Sequence, residues 1–155
     1  MNKPLRLIIS LGTPLLVGFV GSYFTTPNIP TWYATLTKPA LNPPSWVFAP
    51  VWTALYLLMG YAFYLIWTQK TKLNKTHAYV LFFIQLFLNL IWSYLFFALR
   101  LPPLALVEII ILWLAILLTI IKFKAINKLA AYLLIPYILW VSFATYLTFQ
   151  VVLLN

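Results

Sequence analysis

The side chains that most often carry chemistry are scarce in this 155-residue sequence. It has no cysteine, one histidine (His77) and one acidic residue (Glu108). Without cysteine there is no thiolate nucleophile, disulfide or Cys-based zinc site, and a single carboxylate excludes paired-carboxylate hydrolysis. A lone histidine beside Lys75 is also a poor haem ligand. We therefore expect no metal and no bound cofactor.

Tryptophan is the abundant side chain that could serve a ligand. Four of the seven tryptophans lie well inside long apolar runs, each in a different run: Trp52, Trp92, Trp113 and Trp140. A single such tryptophan is most often packing, but four together could line one interior with flat faces and indole N–H donors. That arrangement suits a flat, aromatic, amphipathic ligand.

Polar residues share helix faces with these tryptophans. Asn89, Trp92 and Ser93 fall at positions i, i+3 and i+4, and Gln85 extends the same face by one turn. Amide side chains within hydrocarbon rarely face lipid. We expect Asn89 and Gln85 to point inward, and Asn89 is either a hydrogen-bonding link between helices or a ligand contact.

Two other runs show comparable faces. Trp52 and Tyr56 are one helical turn apart in the second run, as are Trp140 and Ala144 in the last, where the small alanine leaves room. Proline within a helix removes a hydrogen bond and bends the axis. Bends around a cavity are expected at three prolines: Pro14, Pro50 and Pro136.

The composition places these residues in a membrane. Apolar residues make up 65% and charged residues 7% of the chain, whereas soluble domains are roughly half apolar and a quarter charged. Five runs approach the roughly 20 apolar residues that a bilayer-spanning helix needs, without the alternation of a membrane β-barrel. We predict one all-α integral membrane domain over residues 1–155, a five-transmembrane-helix bundle with helices at about 7–24, 46–67, 78–99, 104–121 and 129–154.

The net charge of +9 reflects orientation rather than nucleic-acid binding. The basic residues lie between apolar runs, not on a soluble face, so we expect no nucleic-acid partner. With five spans, one side of the membrane carries eight of the ten basic residues, and the other carries only Lys38 and Arg100. The positive-inside rule then places the N-terminus in the cytoplasm and the C-terminus outside.

The one long connection, residues 25–45, contains five prolines and two adjacent aromatic residues, Trp32 and Tyr33. Proline stiffens the backbone, and residues 31–36 are suited to a short helical turn. The segment is therefore either a lid over the mouth of the bundle or a connector whose aromatic side chains rest among lipid headgroups.

Glu108 follows Pro103 by five residues, about 7 Å along a helix. This shallow depth favours a position at the membrane interface, paired with Arg100 or Lys38. The alternative is an intramembrane carboxylate, which is functional by default.

Three stretches carry a family resemblance: residues 32–56 (WYATLTKPALNPPSWVFAPVWTALY), 89–97 (NLIWSYLFF) and 136–147 (PYILWVSFATYL). In this order they resemble the signature of the tryptophan-rich sensory protein / translocator protein (peripheral benzodiazepine receptor) family. The resemblance covers nearly the whole chain, and the motifs together are highly specific.

The resemblance implies a five-helix bundle, commonly a homodimer, with a pocket that opens toward the segment 25–45 and binds protoporphyrin IX and isoquinoline-carboxamide ligands. For a bacterial member, the location implied is the cytoplasmic membrane. Position by position, and with Tyr56 and Trp92 added from the helix faces, the candidate ligand-binding residues are Tyr33, Pro43, Trp52, Tyr56, Asn89, Trp92, Ser93, Trp140 and Ala144.

Three functions compete. The first is a membrane receptor or sensor that binds porphyrin and acts in a stress response. The second is a light- and oxygen-dependent porphyrin-degrading enzyme, for which the resemblance suggests Trp52 and Trp140 as catalytic residues. The third is passive transport of tetrapyrrole or sterol. Sterol recognition in animal members involves a basic residue after a tyrosine, and Tyr146 here has none after it.

Overall fold

The computed structural model describes residues 1–155, and all of its regular structure is helical. Five helical segments are long and apolar enough to cross a membrane: Lys3–Tyr33, Ser45–Thr68, Thr76–Ala98, Pro102–Ile126 and Lys128–Leu154. The predicted all-α bundle of five transmembrane helices is therefore confirmed, and the chain is an integral, multi-pass membrane protein.

Six α-helices make up these five spans. They are α1 (Lys3–Thr25), α2 (Phe48–Thr68), α3 (Thr76–Ser93), α4 (Pro102–Ile126), α5 (Lys128–Leu133) and α6 (Ile135–Leu154). Because successive spans run in opposite directions, residues 69–75 and 127 lie at one end of the bundle with the start of α1. We call this the basic end. The opposite end, which carries residues 34–44 and 99–101, is the lid end.

Local sequence explains where several helices begin and break. The Oδ1 of Asn2 accepts a 2.9 Å hydrogen bond from the N–H of Leu5 and caps α1. Pro136 lies at the start of α6, and the fifth span is interrupted at Leu134, as expected for a residue without a backbone N–H. Pro50, by contrast, lies in the first turn of α2, where proline is tolerated and no break occurs.

The basic half of the bundle is filled. A Cβ atom on Gly60 of α2 would lie 2.5 Å from the carbonyl oxygen of Ser10 in α1, so these two backbones touch. Beside this crossing, the rings of Phe63 and Phe82 stack at 4.8 Å, and those of Phe82 and Phe123 at 6.0 Å. These rings join α2, α3 and α4 in one buried apolar core.

Candidate functional site

The lid half encloses a cavity of about 410 Å³, within the range typical of ligand pockets. Its walls come from α1, α2, α3 and α6, and its cover from the segment that follows α1. The fourth span contributes no residue to the lining. Four helices and a cover therefore surround one space that is open enough for a small molecule.

The structure brings together eight of the nine candidate ligand-binding residues around this cavity: Tyr33, Trp52, Tyr56, Asn89, Trp92, Ser93, Trp140 and Ala144. The exception is Pro43, which does not line it. Its neighbour Asn42 does, because the Asn42 side chain turns inward and its Oδ1 accepts a 3.0 Å hydrogen bond from the hydroxyl of Tyr33.

Aromatic side chains give the cavity flat walls. On α2, the rings of Trp52 and Tyr56 stack with centroids 5.6 Å apart and planes inclined by 29°. Across the cavity, Trp140 of α6 meets Phe48 edge to face at 6.3 Å. Large apolar faces of this kind favour burial of a planar ligand.

A third tryptophan supplies a hydrogen-bond donor. Trp92 lies nearly parallel to Phe96, with ring centroids 5.0 Å apart, and its buried indole N–H has no acceptor. Trp113 does not belong to this set, because its indole N–H donates to the hydroxyl of Ser142 at 2.8 Å, away from the cavity. Of the four tryptophans that were predicted to line one interior, three therefore line the cavity: Trp52, Trp92 and Trp140.

A chain of buried hydrogen bonds lies at the side of the cavity that faces the basic end. The hydroxyl of Tyr56 donates to Asn89 Oδ1 at 2.9 Å, and Asn89 Nδ2 donates to the hydroxyl of Tyr137 at 2.8 Å. The Tyr137 hydroxyl in turn donates to Gln85 Oε1 at 2.7 Å. Asn89 and Gln85 thus point inward as predicted, and Asn89 links α2, α3 and α6 while also lining the cavity.

The lining carries no lysine, arginine, histidine or acidic side chain. Its polar atoms are hydroxyl and amide groups and the indole N–H groups, so the site can offer hydrogen bonds but no full counter-charge. Nowhere in the structure do three metal-ligating side chains gather. A ligand here must be held mainly by apolar and aromatic contact, with any charged groups left outside.

Sequence reasoning missed the hydroxyl residues on α1. Ser22 and Thr25 line the cavity together with Gly18 and Gly21. Gly18 and Ser22 are a small-residue pair at i and i+4, a spacing that usually indicates close packing of helices. Here Gly18 makes room for the Tyr56 ring, while Ser22 and Thr25 line the cavity. The two hydroxyl residues in the apolar α1 were the signal in the sequence that could have placed them there.

Glu108 was predicted to pair with Arg100 or Lys38 at the membrane interface, and the predicted pairing is wrong. The residue is only 7% exposed, and neither carboxylate oxygen has a hydrogen-bond partner. It lies three residues after Ala105 and four before Leu112, on the face of α4 that is buried in the bundle. Arg100 and Lys38, its expected partners, donate to other acceptors at the lid end.

The segment after α1 is packed onto the bundle. It continues as a short 3₁₀ turn (Thr26–Asn28) and a π turn (Ile29–Tyr33) before residues 34–44. The ring of Tyr33 is 7% exposed and lies against Phe96 and Phe97, at centroid distances of 6.3 and 5.8 Å.

Further along, the segment is tied to the end of α6. The Thr37 N–H donates to Asn155 Oδ1 at 3.0 Å, and Asn155 Nδ2 donates to the Thr37 carbonyl at 2.8 Å. Lys38 Nζ lies 4.7 Å above the Tyr33 ring. Contacts at both ends of residues 33–38 hold the segment across the mouth of the cavity.

The sequence that forms this five-span bundle, with its aromatic cavity under a proline-rich cover, matches a known family. The chain belongs to the TspO/MBR family, whose model matches residues 10–154. It is 46% identical to the Tryptophan-rich protein TspO of Chlorobaculum tepidum, over 100% of this chain and 99% of that protein. It is 44% identical to the Tryptophan-rich protein TspO of Archaeoglobus fulgidus, over 97% of each.

The human Translocator protein is 39% identical, over 89% of this chain and 83% of that protein. The resemblance found in the sequence motifs is thus confirmed. Membership of this family supports a role as a membrane sensor or receptor.

Proposed function

We propose that this protein is a membrane receptor that binds porphyrins, such as protoporphyrin IX, and isoquinoline-carboxamide-type ligands in the cavity at the lid end. The observation that carries the proposal is the composition of the lining: flat aromatic faces on α2, α3 and α6 around an uncharged space. A planar macrocycle gains roughly 25 cal/mol for each Å² of apolar surface removed from water.

The absence of charge in the lining also determines how such a ligand would lie. A carboxylate buried without a cation carries a large desolvation cost. The propionate groups of a porphyrin would therefore remain at the mouth, near the cover, and the apolar part of the ring would lie between Trp52 and Trp140. The unpaired indole N–H of Trp92 is a donor for a polar atom of the ligand.

A titration of the purified protein in detergent with protoporphyrin IX tests this site. We expect Trp140→Ala to weaken binding about tenfold, which corresponds to about 1.4 kcal/mol of lost contact. Trp113→Ala is the matched control, since Trp113 lies outside the cavity, and should change the affinity less than twofold. Equal affinities for the wild type and both variants would show that porphyrin does not bind in this cavity.

A second candidate function is light- and oxygen-dependent breakdown of the bound porphyrin. It is favoured by the position of Trp52 and Trp140 on the same cavity and by the stacking of Trp52 on Tyr56. In this mechanism the excited pigment takes an electron from an indole and passes it to dioxygen, which becomes superoxide. The indole radical cation then recovers an electron from the pigment, and the oxidised pigment combines with the superoxide, so that one dioxygen is consumed and the indole is restored. No general acid or metal is needed.

Absorbance time courses of the bound pigment, lit and dark, separate the two functions. New product bands that appear only in light, and that disappear in Trp52→Phe and Trp140→Phe without loss of affinity, would establish the enzyme. If bound pigment bleaches no differently from free pigment, the enzyme function is excluded and the receptor function remains.

We also propose, from the family resemblance and the charge bias, a homodimer in the bacterial cytoplasmic membrane with the N-terminus inside. Light scattering of the detergent-solubilised protein measures the oligomeric state. Reporter fusions at the two termini measure the orientation. An N-terminal reporter that is active outside, together with a C-terminal reporter that is active in the cytoplasm, would overturn the charge-based assignment.

A further inference from the structure

Two cationic side chains at the basic end contact the same tryptophan, Trp67. The guanidinium of Arg6, in the first turns of α1, lies over the ring of Trp67 with its Cζ 5.4 Å from the ring centroid. The ammonium of Lys75, just before α3, donates to the carbonyl oxygen of the same tryptophan at 3.3 Å. It also donates to the carbonyl of Gln69, and so satisfies acceptors at the end of α2.

Nothing in the chain neutralises this pair. The only acidic residue, Glu108, lies in the lid half of α4, far along the bundle from the basic end. Partial burial and the neighbouring Arg6 charge both lower the pKa of Lys75. Like charges brought together in this way oppose each other unless an anion lies between or beside them.

Both side chains retain donors for such an anion. The guanidinium of Arg6 makes no hydrogen bond within the chain, and only its Nε is buried, so its two terminal nitrogens are the donors that an anion can reach. Lys75 has three N–H donors and uses two of them on backbone carbonyls. Arginine presents its donors in a planar fork that matches phosphate oxygens, and lysine adds a point charge.

The position of the pair indicates where the anion comes from. Arg6 lies near the start of α1, Trp67 is the second-last residue of α2, and Lys75 directly precedes α3. All three are therefore at the boundary of the spans, where tryptophan is enriched and lipid headgroups lie.

We propose that Arg6 and Lys75 form a phosphate-binding site, with Trp67 as its supporting wall, that takes the phosphate group of an anionic lipid headgroup. The same chemistry would recognise free phosphate, and the experiment below distinguishes the two sources. The site is separate from the porphyrin cavity and does not depend on the function proposed for it.

Thermal unfolding of the full-length protein in neutral detergent provides the test. Phosphatidylglycerol is titrated in one arm, phosphatidylcholine in a second and inorganic phosphate in a third. We expect saturable stabilisation by phosphatidylglycerol, and an apparent affinity about tenfold weaker for Arg6→Gln and for Lys75→Gln. Lys72→Gln, which removes an exposed charge at the same end, is the matched control and should change the affinity less than twofold.

Lys75→Arg keeps the charge and should retain lipid binding, so a loss of affinity in Lys75→Gln would not reflect misfolding alone. Stabilisation by inorganic phosphate at the same anion concentration would identify free phosphate as the occupant. Equal stabilisation by phosphatidylcholine, whose phosphate is balanced by a choline cation, would show that the site does not select an anionic headgroup. An equal loss of affinity in Lys72→Gln would show that no particular pair of cations binds the lipid. Either result would overturn the site.

Discussion

The two halves of the α1–α2 pair use glycine for opposite purposes. In the basic half, Gly60 faces the backbone of α1, and a Cβ there would lie 2.5 Å from Ser10 O and 2.7 Å from Leu11 Cα. In the lid half, Gly18 faces the ring of Tyr56 and lines the cavity. The same residue type thus allows backbone contact at one end and makes room for a side chain at the other.

This difference explains how a small bundle keeps an open space. Where two backbones touch, the helices cannot approach each other any further, and the stacked phenylalanines complete a filled core. Beyond that fixed crossing, a large tyrosine occupies the space over Gly18, and its hydroxyl is held by Asn89. The packed basic half fixes the positions of the helices relative to each other, and the hydrogen bonds of the lid half fix the shape of the cavity.

Gly60→Ala disturbs the backbone contact between α1 and α2, and should have the largest effect on the free energy of unfolding. The added methyl group meets backbone atoms, so relief requires the helices to move apart, and we expect a loss of about 3 kcal/mol in the free energy of unfolding. Gly12→Ala is the control, because a Cβ there has no atom within 4 Å. Unfolding in a denaturing detergent measures both, and similar stabilities would show that the crossing is not tight.

Asn89→Leu removes the link that supports the cavity and should have the next largest effect. The hydroxyls of Tyr56 and Tyr137 each lose a partner while buried, which we expect to cost about 2 kcal/mol. Ser93→Ala, one turn further along α3, should cost less than about 0.5 kcal/mol. An unchanged free energy of unfolding for Asn89→Leu would mean that the tyrosines find other partners and that the link is dispensable.

Asn155→Ala tests the cover and should have the smallest effect. It removes two hydrogen bonds to Thr37 at the surface, each worth roughly 1 kcal/mol or less. We expect porphyrin to dissociate several-fold faster, measured by stopped-flow dilution, with stability nearly unchanged. Gln150→Ala, on the same helix, is the control.

Glycine substitution of Pro43 and Pro44 loosens the same segment without touching the cavity wall, and should act in the same direction. An off-rate equal to that of the wild type in both variants would make residues 34–44 a connector and not a lid.

Much of the site was predictable because each helix carries its own pattern. The spacing of Asn89, Trp92 and Ser93 places them on one face whatever the helix packs against, and an amide in hydrocarbon must turn inward. The break near Pro136 likewise follows from one residue's missing N–H. Such features depend only on positions within a few residues of each other.

The remaining features depend on partners that no single helix specifies. Glu108 lies six residues after the start of α4, but the direction of its side chain depends on which face of α4 the bundle covers. Trp113, like Trp92, lies well inside its span, yet its indole N–H donates to Ser142 away from the cavity. Asn42 lines the cavity in place of Pro43 because of a hydrogen bond to Tyr33, nine residues away.

The most direct test of the central claim fills the cavity and measures porphyrin binding. Ala144 lines the cavity one turn from Trp140, and Ala144→Phe should weaken the affinity for protoporphyrin IX at least thirtyfold while the protein remains folded. Leu139→Phe, on the exposed face of the same helix, should leave the affinity unchanged. Equal binding by both variants would contradict the account, because the porphyrin would then occupy another part of the molecule.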